Sequence, residues 1–532
     1  MESPTPDEPQ ESGPRVRLSE LVASLALAGD LGLGQPWEHA LRTCLVALRL
    51  GAANGLSEPD LRDLYYVALL RVAGCTADAH VAAALFGDEI AFAERCSTLD
   101  GRPFEVMSLM ARTVGTGHPP TKRALMVARF LSSGMKELKG SVRAGCEVAQ
   151  VIAERLGFGA QVHLALGQVF ERWDGHGWPN AIKGEDQSVL ARIVQVAQDW
   201  ETFRAIGGLD AARTVARQRS GHNYDPAIVG SFDALDEDSL AVLESESVWD
   251  ALLAMEPGPP AHLAGERLDE ALGAFADFTD LKSPFTLGHS RGVAFRAEAA
   301  ARRLGMGAPE VELLRRGALV HDLGRVGVPA SIWEKQSPLS AGDWERVRLH
   351  PYYTERVLAR SEELHRLGAV GQAHHERLDG SGYHRGSTAS QLPMPARVLA
   401  AADVYHAMTE SRPHREAHVA EIAAAHLREQ ARTGSLDPDA VSAVLAEAGH
   451  LPLRRSDRPA GLSPREMEVL QHLCRGEANR AIAGALFVSP KTVDTHVQHI
   501  YEKLGVSTRA AAAMFAMRHG LISDAPDAAT IR

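Results

Sequence analysis

The sequence predicts an all-α protein: two related helical domains in tandem, then a small four-helix module. Three observations carry that prediction. Aromatic residues are only 5% of the 532 residues, and alanine and leucine are abundant, a mix that favours helices over strands. Residues 15–235 and 261–450 repeat one another. Residues 462–523 are punctuated by residues that start helices.

The bulk numbers agree. At about 100–200 residues per domain the length suits three to four units. Hydrophobic content of 45% and charged content of 23% are ordinary for a soluble globular chain. The net charge of −12 excludes nucleic-acid binding over the whole surface. Between Arg458 and His519, however, eight Lys/Arg face five Asp/Glu, a local balance of +3, so one basic end on an acidic body is expected. The five cysteines form no C-x-x-C pair and are expected as free thiols in a reducing cytoplasm. Residues 1–14 are acidic and Pro-rich, without the cationic start or apolar run of a signal peptide. No run approaches about 18 apolar residues, so no membrane partner is expected.

The repeat sets the domain plan. At an offset of 250, Leu18-Ser-Glu-Leu falls on Leu268-Asp-Glu-Ala, His39 on His289, Pro59-Asp-Leu on Pro309-Glu-Val, Ala68-Leu-Leu on Ala318-Leu-Val and Gly74 on Gly324. At an offset of 205, Glu171-Arg-Trp-Asp-Gly-His-Gly-Trp matches Glu376-Arg-Leu-Asp-Gly-Ser-Gly-Tyr, and Ala191-Arg-Ile matches Ala396-Arg-Val. Tyr224-Asp-Pro later resembles Leu436-Asp-Pro. The offset falls from 250 to 205, so copy one carries 45 extra residues between Cys75 and Gly145. The expected plan is a tail at 1–14, copy one at 15–235, a linker at 236–260 containing Glu256-Pro-Gly-Pro-Pro, copy two at 261–450, a linker at 451–461, the small module at 462–523 and a tail at 524–532.

Copy two gathers metal-ligand residue types. Val311, Leu314, Ala318 and His321 stand at helical spacing, so the buried stripe of that helix runs into His321. Asp322 follows, then Gly324, a plausible helix stop. Neighbours on a helix point about 100° apart, so His321 and Asp322 can serve adjacent metals. Other candidate ligands are His289, His350, His374, His375 and Asp403, the last in the apolar segment Val398–Met408. Imidazole with carboxylate suits Fe, Mn or Zn rather than Ca or Mg. His406, His414, His418 and His426 are each expected to be non-ligands. A two-metal site would generate a hydroxide near neutral pH and clamp a phosphodiester.

The strings His289-Ser-Arg-Gly-Val, His321-Asp-Leu-Gly-Arg, His350-Pro, His374-His-Glu-Arg-Leu-Asp-Gly-Ser-Gly-Tyr, Ala402-Asp403 and Ser411-Arg-Pro-His-Arg resemble the HD-GYP branch of the HD phosphohydrolases. That resemblance implies a helical domain with two divalent transition-metal ions, iron or manganese, that hydrolyses cyclic di-GMP or a related phosphodiester. It implies His289, His321, Asp322, His350, His374, His375 and Asp403 as ligands, with Asp322 bridging. Asp379, Gly380, Gly382 and Tyr383 would shape the substrate lip. Arg412 and Arg415 are either phosphate or guanine contacts, since a guanidinium fork matches both, or solvated surface charges. Three departures stand out. The Gly-Tyr-Pro triplet ends in His384. Phe285 stands where members with a third metal carry Glu, which favours two metals. Arg325 replaces a lysine, and arginine cannot deliver a proton to a leaving oxygen, although it can stabilise transition-state charge beside Asp322.

Copy one keeps His39 but has Arg71, Val72, Gly145, Val169, Phe170 and Gln198 at the other six places. No metal is expected there. Its loop Trp173–Pro179 reads as a retained structural turn, or alternatively as a nucleotide or partner pocket or a dimer lid that senses and controls copy two.

In the last module Ser463 caps a helix with Pro464 in its first turn and Glu466 completing a capping box. A short helix follows over 478–486, and Ser489 caps a third whose Val493, Val497, Ile500 and Leu504 form an apolar stripe. A fourth is expected from Ser507 through Arg518. A small helical protein-binding bundle has this pattern, and so does a helix-turn-helix entering a major groove. The strings Leu462-Ser-Pro-Arg-Glu, Asn479-Arg-Ala-Ile-Ala, Val488-Ser-Pro-Lys-Thr-Val-Asp-Thr-His-Val and Lys503-Leu-Gly-Val resemble the LuxR-type helix-turn-helix. The resemblance implies double-stranded DNA as partner, with Lys491, Thr492, Thr495, His496 and His499 facing the groove and Arg480, Lys491, Lys503 and Arg509 as phosphate contacts. It also implies a homodimer on a two-fold operator. Asp494 departs from that family's usual choices and is expected to reduce affinity or alter the base preference. The whole reads as a cytoplasmic transcription regulator: a phosphodiesterase coupled to DNA binding, or alternatively a nucleotide and metal sensor without turnover.

Overall fold

The computed structural model describes residues 14–450, except 101–102, 116–118, 131–133 and 236–239, and residues 462–506, except 475–476 and 505, with Ala512 and Ala516 beyond them. The expected tails (but for Pro14) and the expected linker at 451–461 lie outside the described residues. The chain is all-α, as its composition predicts. Among the described residues the only sheet is a two-residue pairing, Val16–Arg17 antiparallel to His262–Leu263, which ties the start of copy one to the start of copy two. No helix among them is long and apolar enough to cross a membrane.

The chain divides into two compact units, Met1–His450 and Leu451–Arg532. In the first, both copies contribute to one core, with Leu21, Leu45 and Leu69 from copy one and Phe275, Leu314 and Leu399 from copy two. Corresponding helices carry the repeat. His39–Ala53 and Glu58–Leu70 answer to His289–Arg303 and Ala308–Val320, and the first part of Val189–Arg219 answers to Met394–Met408. Equivalent caps close equivalent turns. Asp225 accepts the N–H of Ala227 and pairs with Arg192, while Asp437 accepts those of Asp439 and Ala440 and pairs with Arg397.

Two stretches differ from the expected plan. Residues 236–260, expected as a linker, carry a packed helix, Val248–Ala254, that Ser247 caps at the N–H of Asp250. Trp249 and Leu252 are buried in the shared core, and buried Glu256 receives hydrogen bonds from Arg17, Ser19 and Tyr66 at 2.8, 2.7 and 2.6 Å. Such a network holds the copies together rather than spacing them. The extra residues of copy one form helices of their own, Ala79–Phe86, Glu89–Cys96, Pro103–Thr113 and Pro120–Arg129.

The second unit has its own small core of Leu462, Val469, Leu470, Ile482, Val493, Ile500 and Leu504. Its helices are Pro464–Cys474, Asn479–Ala485 and Pro490–Leu504. Both caps form: Ser463 and Glu466 exchange hydrogen bonds at 3.2 and 2.6 Å, and the Ser489 hydroxyl accepts the N–H of Thr492 at 3.1 Å. The expected fourth helix, with Arg509, lies outside the described residues except for Ala512 and Ala516, both buried in this core.

Candidate metal centre

Five backbone segments meet where the candidate ligands converge: the starts of the helices at His289 and His350, the turn at His321 and Asp322, the stretch after Glu362–Gly371, and Met394–Met408. The Ala308–Val320 helix ends at His321, and Asp322 turns away into a 3-10 turn over Leu323–Gly327. Gly324, expected as a helix stop, has a different reason to be glycine. A Cβ there would lie 2.0 Å from the carbonyl oxygen of His350 and 2.6 Å from the nitrogen of Thr354. The Thr354 hydroxyl accepts the N–H of Gly324 and donates to the carbonyl of His321, at 2.9 and 3.0 Å. That stitch fixes the Asp322 turn against the helix that begins at His350.

Asp322 is the hub, only 3% exposed. Its Oδ1 lies 3.5 Å from His350 Nε2 and 3.4 Å from His374 Nε2. Its Oδ2 lies 3.5 Å from His321 Nε2 and 3.8 Å from His289 Nε2. One oxygen therefore serves each pair of imidazoles. His289 Nε2 also stands 3.3 Å from Asp403 Oδ1. His375 stacks beside His374, with ring centroids 4.1 Å apart. Among the described residues three groups have ligand atoms near enough to share an ion: His350, His374 and His375; His289, His321 and Asp322; and His289, His406 and Glu410.

The imidazoles are pre-oriented. Nδ1 of His321, His350 and His374 lies 2.7, 2.6 and 2.7 Å from the carbonyl oxygen three residues back, at Ala318, Val347 and Gly371. A proton on Nδ1 donates there and leaves the Nε2 lone pair facing the centre. His321 Nε2 is buried with no hydrogen-bond partner, which is costly unless a ligand occupies it. Burial pushes His321 down to about 4 and His350 down to about 3, so both are neutral. Burial pushes Asp322 and Asp403 up, but Arg325 and His321 around the first and His289 beside the second hold both well below the usual carboxylate range. Burial pushes His289 down, but its hydrogen bonds to Asp403 and Glu410 carry it up to about 9, so its proton would have to leave for a cation to bind. Imidazoles such as those of His321 and His350 beside buried carboxylates suit a divalent transition metal.

Two neighbours of the centre escaped the sequence reading. The Glu410 carboxylate sits 2.8 Å from His289 Nδ1 and 3.3 Å from His406 Nε2, and Arg412 pairs with it at 2.9 Å. It lies seven residues after Asp403, just past the end of the Met394–Met408 helix, and that spacing was the available signal. His406, expected as a non-ligand, takes a hydrogen bond from Arg296 on Nδ1 at 3.2 Å and turns Nε2 to Glu410. The other is Trp333. The Arg325 guanidinium stacks 4.0 Å over its ring and donates to Asp322 Oδ2 at 2.8 Å.

The loop after His375 is braced from below. Buried Glu376 accepts the N–H of Arg385 and of Ser387 at 2.7 and 2.8 Å. A Cβ on Gly382 would lie 2.5 Å from the nitrogen of Arg377 and the carbonyl oxygen of His375. The Tyr383 ring is thereby held 4.7 Å from that of His375. Gly380 takes a positive φ of 77°, and exposed Asp379 accepts the N–H and hydroxyl of Ser381 at 3.0 and 2.6 Å. The two arginines separate. Arg412 reaches Glu410 beside the centre. Arg415 points its terminal nitrogens at the carbonyls of Ala407, Met408, Glu410 and Glu416, where it caps the end of a helix rather than offering a free fork.

In copy one, Arg71 Nη1 donates to Gln198 at 2.8 Å in the corresponding space. Burial, and then Arg71, pushes His39 down to about 3. The Trp173–Pro179 loop is closed by backbone hydrogen bonds from Trp173 and Asp174 to Asn223 and His222, at 3.0 and 2.8 Å.

On the Pro490–Leu504 helix, Lys491, Thr492, Thr495 and His499 are exposed and His496 is half-buried; Arg480 is exposed on the preceding helix. Lys503, expected at a phosphate, pairs with Glu466 at 2.6 Å. Asp494 accepts a hydrogen bond from Asn479 at 2.6 Å, so it joins the two helices of the motif.

A carboxylate hub with one imidazole pair per oxygen defines an HD-type metal-dependent phosphohydrolase. Residues 139–228 and 274–440 match the HD-domain family, within both copies of the repeat, and residues 460–516 match the bacterial regulatory proteins of the luxR family. A 3'3'-cGAMP-specific phosphodiesterase of Vibrio cholerae is 32% identical over 82% of this chain and 95% of its own length. A crystal structure of a cyclic GMP-AMP-specific phosphodiesterase from V. cholerae superposes with a TM-score of 0.57 at 28% identity, covering 82% of this chain and 99% of that one. The Mycobacterium tuberculosis probable transcriptional regulatory protein NarL is 49% identical over 16% of this chain and 40% of its own length. The chain belongs to the HD-GYP cyclic-nucleotide phosphodiesterases, with a C-terminal LuxR-type domain.

Proposed function

We propose that copy two hydrolyses a cyclic dinucleotide and that its occupancy biases DNA binding by the C-terminal module. The observation that carries the reading is Asp322, with one carboxylate oxygen facing each imidazole pair. His289, His321, Asp322, His350, His374, His375 and Asp403 would hold two ions, iron or manganese. Metal bound there would supply a hydroxide near neutral pH and polarise a phosphodiester. Gly380, Gly382 and Tyr383 would shape the mouth, and Arg412 would meet a phosphate oxygen. The V. cholerae relative makes 3'3'-cGAMP the first substrate to try, with cyclic di-GMP second.

A second reading, sensing without turnover, is favoured by Arg325, which stands in place of a lysine and is hydrogen-bonded to Asp322. Under either reading the exposed face of Pro490–Leu504 enters a major groove as part of a homodimer, in the cytoplasm. The test is hydrolysis of both dinucleotides by protein purified without oxygen and loaded with Fe(II) or Mn(II), beside Asp322→Ala. Turnover lost in the variant supports the enzyme. Bound metal without turnover supports the sensor. DNA affinity unmoved by saturating nucleotide would defeat the coupling, because an effector shifts an equilibrium only by binding its two states differently.

A further inference from the structure

The extra helices of copy one reach the shoulders of the centre in copy two. Glu89 opens the Glu89–Cys96 helix and is 6% exposed. Its Oε1 accepts the N–H of Ala330 at 2.9 Å and pairs with Lys282 Nζ at 2.7 Å. Lys282 is itself buried and also donates to the carbonyl of Val326 at 3.0 Å. Ala330 begins the short helix that ends in Trp333, the ring on which Arg325 stacks beside Asp322. Lys282 lies two residues after Asp280, which accepts the N–H and hydroxyl of Ser290, next to His289, at 2.9 and 2.7 Å. Ala79 and Ala83 pack on Ala330. The neighbouring Asp88 pairs with Arg346 at 3.0 Å, one residue before the carbonyl that orients His350.

We propose that Glu89 of the degenerate copy is a positioning residue for the metal centre of copy two, clamping through Lys282 and Ala330 the segments that carry His289, Asp322 and Arg325. A buried ion pair is a poor source of net stability, because desolvation offsets its attraction. It does fix geometry, since a buried lysine whose carboxylate moves is left uncompensated. The extra residues of copy one thus act on the chemistry of the other copy. The inference rests on the metal-centre reading given above.

The test is Mn(II) binding to the full-length chain, measured by titration without substrate, with a melting curve for each variant. Glu89→Gln keeps the shape and a carbonyl oxygen for Ala330 but removes the charge that holds Lys282. The double variant Glu89→Leu with Lys282→Met removes both charges and leaves none buried alone. Ser361→Ala deletes another contact between the copies, the hydrogen bond to Glu20. Expected is a fall in Mn(II) affinity of about tenfold in the double variant and several-fold in E89Q, against wild-type affinity in S361A. E89Q, folded and binding Mn(II) within twofold of wild type, overturns the proposal, and so does a folded double variant that does the same. An equal loss in S361A also overturns it, by making the effect a general loosening of the two copies. Wild-type protein that binds no Mn(II) would instead defeat the metal-centre reading.

Discussion

Glu171 in copy one and Glu376 in copy two brace their loops through corresponding backbone nitrogens, those of Asn180 and Ile182 and those of Arg385 and Ser387. Gly74 and Gly324 both sit where a Cβ would strike a carbonyl, that of Gly145 at 1.9 Å and that of His350 at 2.0 Å. Asp30 and Asp280 accept corresponding N–H groups, from Ala40 and Ser290. Yet the side chains aimed at the centre differ in kind. Arg71 and Gln198 hold each other where His321 and Asp403 stand. The backbone stitches serve the fold and persist in both copies. The inward side chains are a candidate ligand set in copy two, and in copy one a guanidinium brings a fixed charge into the same space.

Moving that pair across is the strongest way to break the comparison. The variant His321→Arg with Asp403→Gln places copy one's residues in copy two. Its helical content should survive, because Arg71 and Gln198 are accommodated in the equivalent frame. Mn(II) binding should be lost, and hydrolysis should fall by about a thousandfold or more, the equivalent of several kcal/mol of metal assistance. Retained hydrolysis with retained metal would show that His321 and Asp403 are not ligands.

The glycines test the shared part. A Cβ at Gly177 would lie 2.1 Å from the nitrogen of Arg172, and one at Gly382 would lie 2.5 Å from that of Arg377. Gly177→Ala and Gly382→Ala should each lower stability by about 3 kcal/mol in denaturant melts. Only Gly382→Ala should also depress hydrolysis, since Tyr383 follows it. A catalytic effect of comparable size from Gly177→Ala would mean that copy one's loop governs the reaction.

Glu410 separates the copies at the next layer, because Ala205 occupies its aligned place. Burial pushes the Glu410 carboxyl up, but His289 and His406 hold it well below the ordinary range, so it is an anion that orients His289. Glu410→Ala, the residue of copy one, should weaken Mn(II) binding by about 10–100-fold. Unchanged affinity would mean that packing alone orients His289.

How much of this was legible in the sequence follows from what each residue answers to. The helices were legible because caps and apolar spacing are local, and Ser463, Ser489 and the stripe ending at His321 behave as read. The convergence of the seven candidate ligands was visible only by resemblance, since His289 and Asp403 are 114 residues apart and meet at 3.3 Å. The packed helix at 248–254 was hidden behind Pro and Gly of the following turn, and the single core behind a repeat that suggested separate domains. Arg415 and Lys503 were read from resemblance and charge, which do not show the backbone carbonyls that a turn brings round to the first or the carboxylate 37 residues from the second. Charge says that a side chain seeks a partner; only the fold says which one.

The smallest expected effect concerns Asp30, the copy-one twin of Asp280. Burial pushes its carboxyl up from 3.8 to about 7, and Asp280 is pushed to about 6 for the same first cause. A carboxyl raised in the folded chain is held as the neutral acid. The stability it contributes is fully present below the unfolded value near 3.8 and is lost as pH rises through 7. Asparagine is neutral throughout and still offers an oxygen to the N–H of Ala40. Asp30→Asn should therefore raise stability at pH 8 by about 2 kcal/mol and leave it nearly unchanged near pH 4. The comparison between copies sharpens here. Around Asp280 the charge of a bound divalent cation would favour the carboxylate, whereas the cation that favours it at Asp30 is Arg71, which is hydrogen-bonded to Gln198. A pH-independent difference between Asp30→Asn and wild type would show that Asp30 is ionised in the folded chain and that the cavity of copy one carries more positive charge than Arg71 supplies.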